Sequence, residues 1–452
     1  MCIICQTATI GASLLTSVLP ISVSPPEAAV PTKSGTACRT VGATTVAKSA
    51  TLTCKRVGKR LVWTKTSQVT PRTTTTTVTP TTTTLPVTTG GFSPDTQCAD
   101  QETPRTTYWQ VSNGFPKFAE RIPSAGSVRV MMLPVDFPDV VATGSPATDM
   151  LPITRALTSV FGNLSNGALS FEFSTLPNYL RVGRAAESWG MGTYGGGRGD
   201  TYVADIVREL DQQVNFSGVD VLVVMAPPSL RSNQIAYSPA MPYPQSAPLM
   251  TGEKAIFSAT MTGADAWRDP MTIVHEFGHL IGLTDLYAMS LSDEVRTTHH
   301  YTGKWDFMGY AWTKGMFGWQ RFLQGWLEDA EVLCANNAGE FTATLSPLGS
   351  TAKSSELLLL RGASGKLVGL EVRRPGAMDE FVSESNQGVL VYTIDPSGTT
   401  GGGPLRVQGL TLDRNTYLAT APLRVGQALT VDGWTITVTA SGAAGDAVRV
   451  SR

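Results

Sequence analysis

Four residues in one short stretch have the types and spacing that hydrolytic metal chemistry needs. The stretch is DPMTIVHEFGHLIGLTDLY, Asp269 to Tyr287. His275 and His279 are four apart, so a helix would place both imidazoles on one face, able to grip one cation. Glu276 adjoins the first imidazole, where a carboxylate can take a proton from an attacking water. Gly282 lets the chain leave the helix in a sharp turn, which swings Asp285 back as an oxygen ligand. Two nitrogens and one carboxylate leave a fourth position of a Zn2+ ion open, as catalysis requires, whereas structural sites close all four with Cys and His. HExxH alone arises by chance in roughly one chain in a hundred of this length, and the added Gly and Asp lower that to roughly one in ten thousand. Only four histidines occur in the chain, and two fall here.

These residues need a helix and a scaffold. Asp269 can cap a helix whose first position is Pro270, where a missing N–H costs nothing. Upstream, Val128–Asp139 and Val219–Pro227 read as buried strands, and Leu169–Leu176 alternates like a half-buried one. Ile153–Phe161 and Asp200–Leu210 have helical spacing. Alternation of strand and helix indicates an α/β or α+β core, here taken as an α+β domain over residues 127–330. Beyond it, 331–452 breaks into short apolar runs split by Gly and Asp, the texture of an all-β sandwich.

The third ligand separates types of zinc peptidase. Thermolysin-like enzymes close the site with a Glu on a second helix, and here Asp293 and Glu294 fall short of that position. HExxHxxGxxD resembles the metzincin pattern, with Asp in place of the commoner third His. A metzincin also carries a methionine turn beneath the metal, which WDFMGY supplies at Met308. The resemblance implies a role in oxyanion stabilisation for Tyr310, two residues further on, and an extended substrate added antiparallel to a sheet edge near Leu169–Phe173. HEFGHLIGLTDLY, KWDFMGY and FGWQRFLQGWL together resemble the immune inhibitor A group of peptidases, family M6, over roughly Val128 to Leu327. That likeness implies a metzincin-like domain with a twisted mixed sheet and active-site helix, and a secreted zinc endopeptidase acting on proteins. It also implies His275, His279 and Asp285 as ligands and Glu276 as catalytic acid and base. Two departures stand out. Thr284 replaces the usual proline, and no DxDxDG-like loop lies between Phe216 and Val224, so the sequence does not support calcium.

The rest of the chain sets the context. Of 452 residues, 42% are hydrophobic and 16% charged, with a formal net charge of −1. No overall field favours nucleic acid, and no later apolar run is long enough to span a bilayer. Residues 1–33 read as a signal-like leader, with an apolar stretch Ile10–Val23, although no Lys or Arg precedes Lys33. Residues 34–65 form a small basic module whose Lys55, Arg56, Lys59 and Arg60 could meet an anionic cell wall. Residues 66–90 are a Thr/Pro linker, and 91–126 a lead-in or propeptide-like segment. Past Cys2 and Cys5, the four remaining cysteines read as two disulfides, Cys38–Cys54 and, by elimination, Cys98–Cys334. His299–His300 reads as a solvent-exposed loop before it reads as a second metal site. The glycine-rich Tyr194–Asp200 lacks the ending of a phosphate loop. A rival to the enzyme is a cell-surface binding protein or pseudopeptidase on a metallopeptidase scaffold. The intact set of four site residues argues against it.

Overall fold

The computed structural model describes residues 37, 44–47, 50–58, 60–65, 85–103, 111–192, 198–350 and 354–452. The leader, Cys38, residues 66–84 of the linker and Tyr194–Gly197 lie outside these. Contacts divide the chain into two units, one spanning Thr7–Thr82 and the other containing Thr83–Arg452. In the first, β1 (Thr44–Ala47), β2 (Ala50–Val57) and β3 (Arg60–Lys65) form an antiparallel sheet in the order β1-β2-β3. Cys54 is buried on β2 and disulfide-bonded, as expected of the module. Lys55, Arg56 and Arg60 are exposed on the same hairpin.

The large unit is mixed α+β, and its first half is a sheet sandwiched by helices. β4 (Gly126–Asp136), β5 (Leu169–Thr175), β6 (Val221–Met225), β7 (Ala240–Pro242) and β8 (Ser258–Met261) assemble in the order β5-β4-β6-β8-β7. All pairs are parallel except β8 with β7. A parallel sheet is covered on both faces, so its strands are continuous apolar runs such as VLVVM. Successive side chains leave opposite faces. Val128, Val130, Met132, Val221 and Val223 meet α1 (Leu151–Leu164) and α3 (Met271–Leu280), while Leu133, Val135, Leu222 and Val224 meet α2 (Gly199–Leu210).

The second half contains two more sheets. One runs β9 (Val332–Ala335), β11 (Leu357–Arg361), β12 (Leu367–Arg373), β13 (Gly388–Ile394), β14 (Leu405–Gln408). The other runs β10 (Glu340–Leu345), β17 (Gly445–Ser451), β16 (Trp434–Gly442), β15 (Ala428–Val431). Leu358, Leu360, Val368 and Val391 share a core with Phe341, Trp434, Ile436 and Val448 of the second sheet. Their alternates Leu357, Leu359, Leu390 and Tyr392 share a core with α3 and with Trp319 and Phe322 of α4 (Gly318–Leu323). The five-stranded sheet is therefore buried on both faces, which explains the run LLLL. The boundary expected at 330/331 is a change of secondary structure, with no break in packing.

Charges are buried at this seam. Arg373 lies between Glu371 and Asp379 at 2.5 Å from each and donates to the carbonyls of Met316 and Trp305. Glu371 accepts from the Gly318 N–H at the start of α4 and from the Tyr392 hydroxyl. Arg321 of α4 pairs with Glu356 at 2.6 Å and donates to the Leu164 carbonyl.

The segment read as a lead-in is built into the unit. Cys98 is disulfide-bonded to Cys334 on β9, as expected, and Asp100 pairs with Arg361 on β11. Further on, the Ser112 N–H donates to the Gly282 carbonyl and the Ile122 N–H to that of Leu280, at the end of α3. Among the described residues no helix is long and apolar enough to cross a membrane.

Candidate metal centre

Helix α3 begins one residue later than its sequence signal. Pro270 is the cap residue, and Asp269 still caps, its Oδ1 accepting the Met271 N–H at 2.9 Å. The helix ends as Gly282 suggested. Gly282 adopts φ +99°, its N–H donates to the His279 carbonyl, and the Leu283 N–H donates to that of Gly278. This pair of bonds around a left-handed glycine is a Schellman ending, and it reverses the chain toward the helix it has just left.

The reversal delivers Asp285. Its Oδ1 lies 3.1 Å from Nε2 of His275 and 3.3 Å from Nε2 of His279. The opposite ring nitrogens are committed elsewhere: Nδ1 of His275 to the Phe307 carbonyl at 3.0 Å, Nδ1 of His279 to the Leu283 carbonyl at 2.8 Å. A carbonyl only accepts, so each Nδ1 carries a proton, and each Nε2 is the ring nitrogen turned toward Asp285. Two ring nitrogens and one carboxylate oxygen thus converge in a buried space, a group that could hold a metal ion. With metal–ligand bonds near ~2.0–2.1 Å, ligand atoms on a tetrahedral zinc stand about 3.3–3.4 Å apart, close to the two spacings observed. The residues fit zinc: two imidazoles and one carboxylate, with ligand atoms all within 4.8 Å of one another.

Burial pushes the Asp285 carboxyl up, but the facing imidazoles outweigh it and hold the group well below the usual carboxylate range. Burial works against charge on His275 and His279, and the adjacent carboxylates raise both. Glu276 is pushed up to about 8 by burial, with His275 pulling against it. Its Oε2 accepts the Ala240 N–H at 2.7 Å, which fixes the carboxylate against β7.

Met308 packs against the helix at Gly278. The turn is closed by bonds from the Gly309 and Tyr310 N–H groups to the Asp306 carbonyl. The Asp306 carboxylate accepts the Met308 and Phe317 N–H groups. Gly278, between the two imidazoles, has no room for a Cβ because Met308 and Phe307 press against it. The Met308 carbonyl accepts the Leu286 N–H, tying the turn to the Asp285 segment.

Tyr310, expected to face an oxyanion, follows the Met308 turn. Its ring packs with His299, Trp312 and Tyr417 at centroid distances of 4.6, 5.2 and 5.1 Å, and no hydrogen bond joins its hydroxyl to the three converging side chains. His299 differs from the solvent-exposed loop expected: it is half-buried, and its Nδ1 bonds the Gly309 carbonyl at 2.9 Å. The sheet edge also differs. The strand meeting Glu276 is β7, at the opposite end of the sheet from Leu169–Phe173 on β5. Three residues ending in proline carry no strand periodicity, so β7 left no signal in the sequence.

Sequence reasoning also missed a clasp from the β half. The Asp285 N–H donates to Thr400 Oγ1 at 3.2 Å, and the Gly401 N–H donates to the Asp285 carbonyl at 3.0 Å. The cluster SGTTGGGP, residues 397–404, marks a tight loop, but nothing in it names its target. A scan of protein-family models returns no match for this chain, and no curated protein matches it.

Proposed function

We propose that this chain is a zinc-dependent endopeptidase of the metzincin type, secreted and acting on protein substrates. One observation carries the reading: the Nε2 atoms of His275 and His279 and one Asp285 carboxylate oxygen converge in a buried space, with the Glu276 carboxylate beside them. When bound, zinc supplies Lewis acidity, polarising a scissile carbonyl and acidifying water. His275, His279 and Asp285 would hold it. Glu276, anchored by the Ala240 N–H, takes the proton from the attacking water and returns it to the departing amine. The edge of β7 beside Glu276 offers an extended substrate its backbone partners. The disulfide Cys98–Cys334 suits an oxidising compartment.

The test combines metal analysis and proteolysis. Purified protein should carry about one zinc per chain and cleave casein, lose cleavage to chelator, and regain it with zinc. Glu276→Gln should keep the zinc and lose at least ~100-fold in rate. Zinc retained with no cleavage by the unmodified chain would point instead to a binding protein on a peptidase scaffold.

A further inference from the structure

Beside the methionine turn lies a pocket of about 420 Å³ that the hydrolytic reading does not use. Its aromatic wall is Tyr310, Trp312, Phe381 and Tyr417. Trp312 packs edge-on against Tyr310 and is still 59% exposed. Tyr417 and Leu418 both adopt left-handed backbone, at φ +55° and +58°. Two such non-glycine residues in succession are costly, and such strain gathers at binding sites. It is locked in place by the Trp305 Nε1–H donated to the Leu418 carbonyl and the Lys304 N–H donated to that of Tyr417. The result is that the Tyr417 ring lines the pocket.

The lining is also charged. It holds Lys304, Lys314 and Glu380, two positive groups against one negative, for a net charge of +1. Lys314 is neutralised by Glu380 at 2.6 Å. Lys304 lies over the Phe381 ring at 4.5 Å, and no carboxylate pairs with it among the described residues. The pocket therefore presents apolar rings and one cation seeking an anion. It shares Tyr310 with the turn that carries Met308, whose carbonyl accepts the Leu286 N–H next to Asp285.

We propose that this pocket recognises substrate segments in which an acidic residue adjoins an aromatic one, the carboxylate on Lys304 and the ring among Trp312, Tyr310 and Tyr417. The proposal rests on the peptidase reading for its occupant, and the two are separable by experiment. Full-length Glu276→Gln protein, loaded with zinc, is titrated into three fluorescein-labelled peptides differing only at two central positions: Glu-Phe, Gln-Phe and Glu-Gly. Anisotropy at low salt should show Glu-Phe bound roughly fivefold tighter than either control. Adding Lys304→Met should erase the Glu-over-Gln preference alone, and adding Trp312→Ala the Phe-over-Gly preference alone. Equal binding of Glu-Phe and Gln-Phe, or a Glu preference that survives Lys304→Met, overturns the proposal. Casein cleavage by the unmodified chain is scored separately. Cleavage without acidic preference sinks the pocket and spares the peptidase, whereas selective binding without cleavage does the reverse.

Discussion

Replacing Gly278 with alanine separates two effects of opposite sign, and the structure decides between them. In an exposed helix the change would stabilise by about 1 kcal/mol, since glycine is the poorer helix former. Here a Cβ would overlap Met308 Sδ and lie 2.8 Å from Phe307 Cε2. Both side chains are fully buried, and Phe307 is wedged edge-on against Phe161, so neither has space to retreat. Overpacking of this kind costs about 1–3 kcal/mol, so the expected net change is a loss of up to about 2 kcal/mol. Relief would have to come from movement of the methionine turn, which also carries the carbonyl that orients His275. Zinc affinity should therefore fall about tenfold as well. Urea denaturation of chelator-treated protein reads the first effect, and competition with a chromophoric chelator reads the second. Gly162→Ala, in α1 with nothing within 4 Å of the added carbon, is the control and should gain stability. If Gly278→Ala matches that control with unchanged zinc affinity, the account of Met308 as a packed support is wrong.

Further outcomes follow from the same geometry. Thr400→Val removes the acceptor of the Asp285 N–H and should weaken zinc binding about fivefold by competition titration, leaving the melting temperature of metal-free protein nearly unchanged. Arg373→Met strands Glu371 and Asp379 in the interior and should cost about 3–5 kcal/mol in urea unfolding. Burial pushes the Asp306 carboxyl up to about 7 from an ordinary 3.8, so between those values the folded chain binds more protons there than the unfolded one. That contribution to stability falls as pH rises through the window. Urea midpoints at pH 5 and pH 7.5 should show a smaller pH dependence for Asp306→Asn than for the unmodified chain.

The sequence was most informative where chemistry and local geometry coincide. The HExxH spacing, Gly282 and Met308 each prescribe a local conformation, and all three adopt it. The apolar runs at Val128 and Val219 were legible as strands because a doubly covered sheet needs them. What stayed hidden depends on long-range placement. Thr400 reaches Asp285 across 115 positions, and no local propensity encodes that meeting. The aromatic residues around Tyr310 give no clue in their order, since Tyr417 comes from the β half. Nor could the apolar texture after residue 330 reveal that one sheet would be buried on both sides.

The loop that grips Asp285 sits between β13 and β14, far downstream of all three side chains it helps to arrange. During synthesis a growing chain thus holds His275, His279 and Asp285 for over a hundred residues before Thr400 and Gly401 exist to secure the third. A ribosome-stalled chain ending before residue 398 should therefore bind zinc more weakly than one stalled well past residue 408. The order of translation itself would then delay proteolytic competence until the part of the molecule that frames the centre has been made.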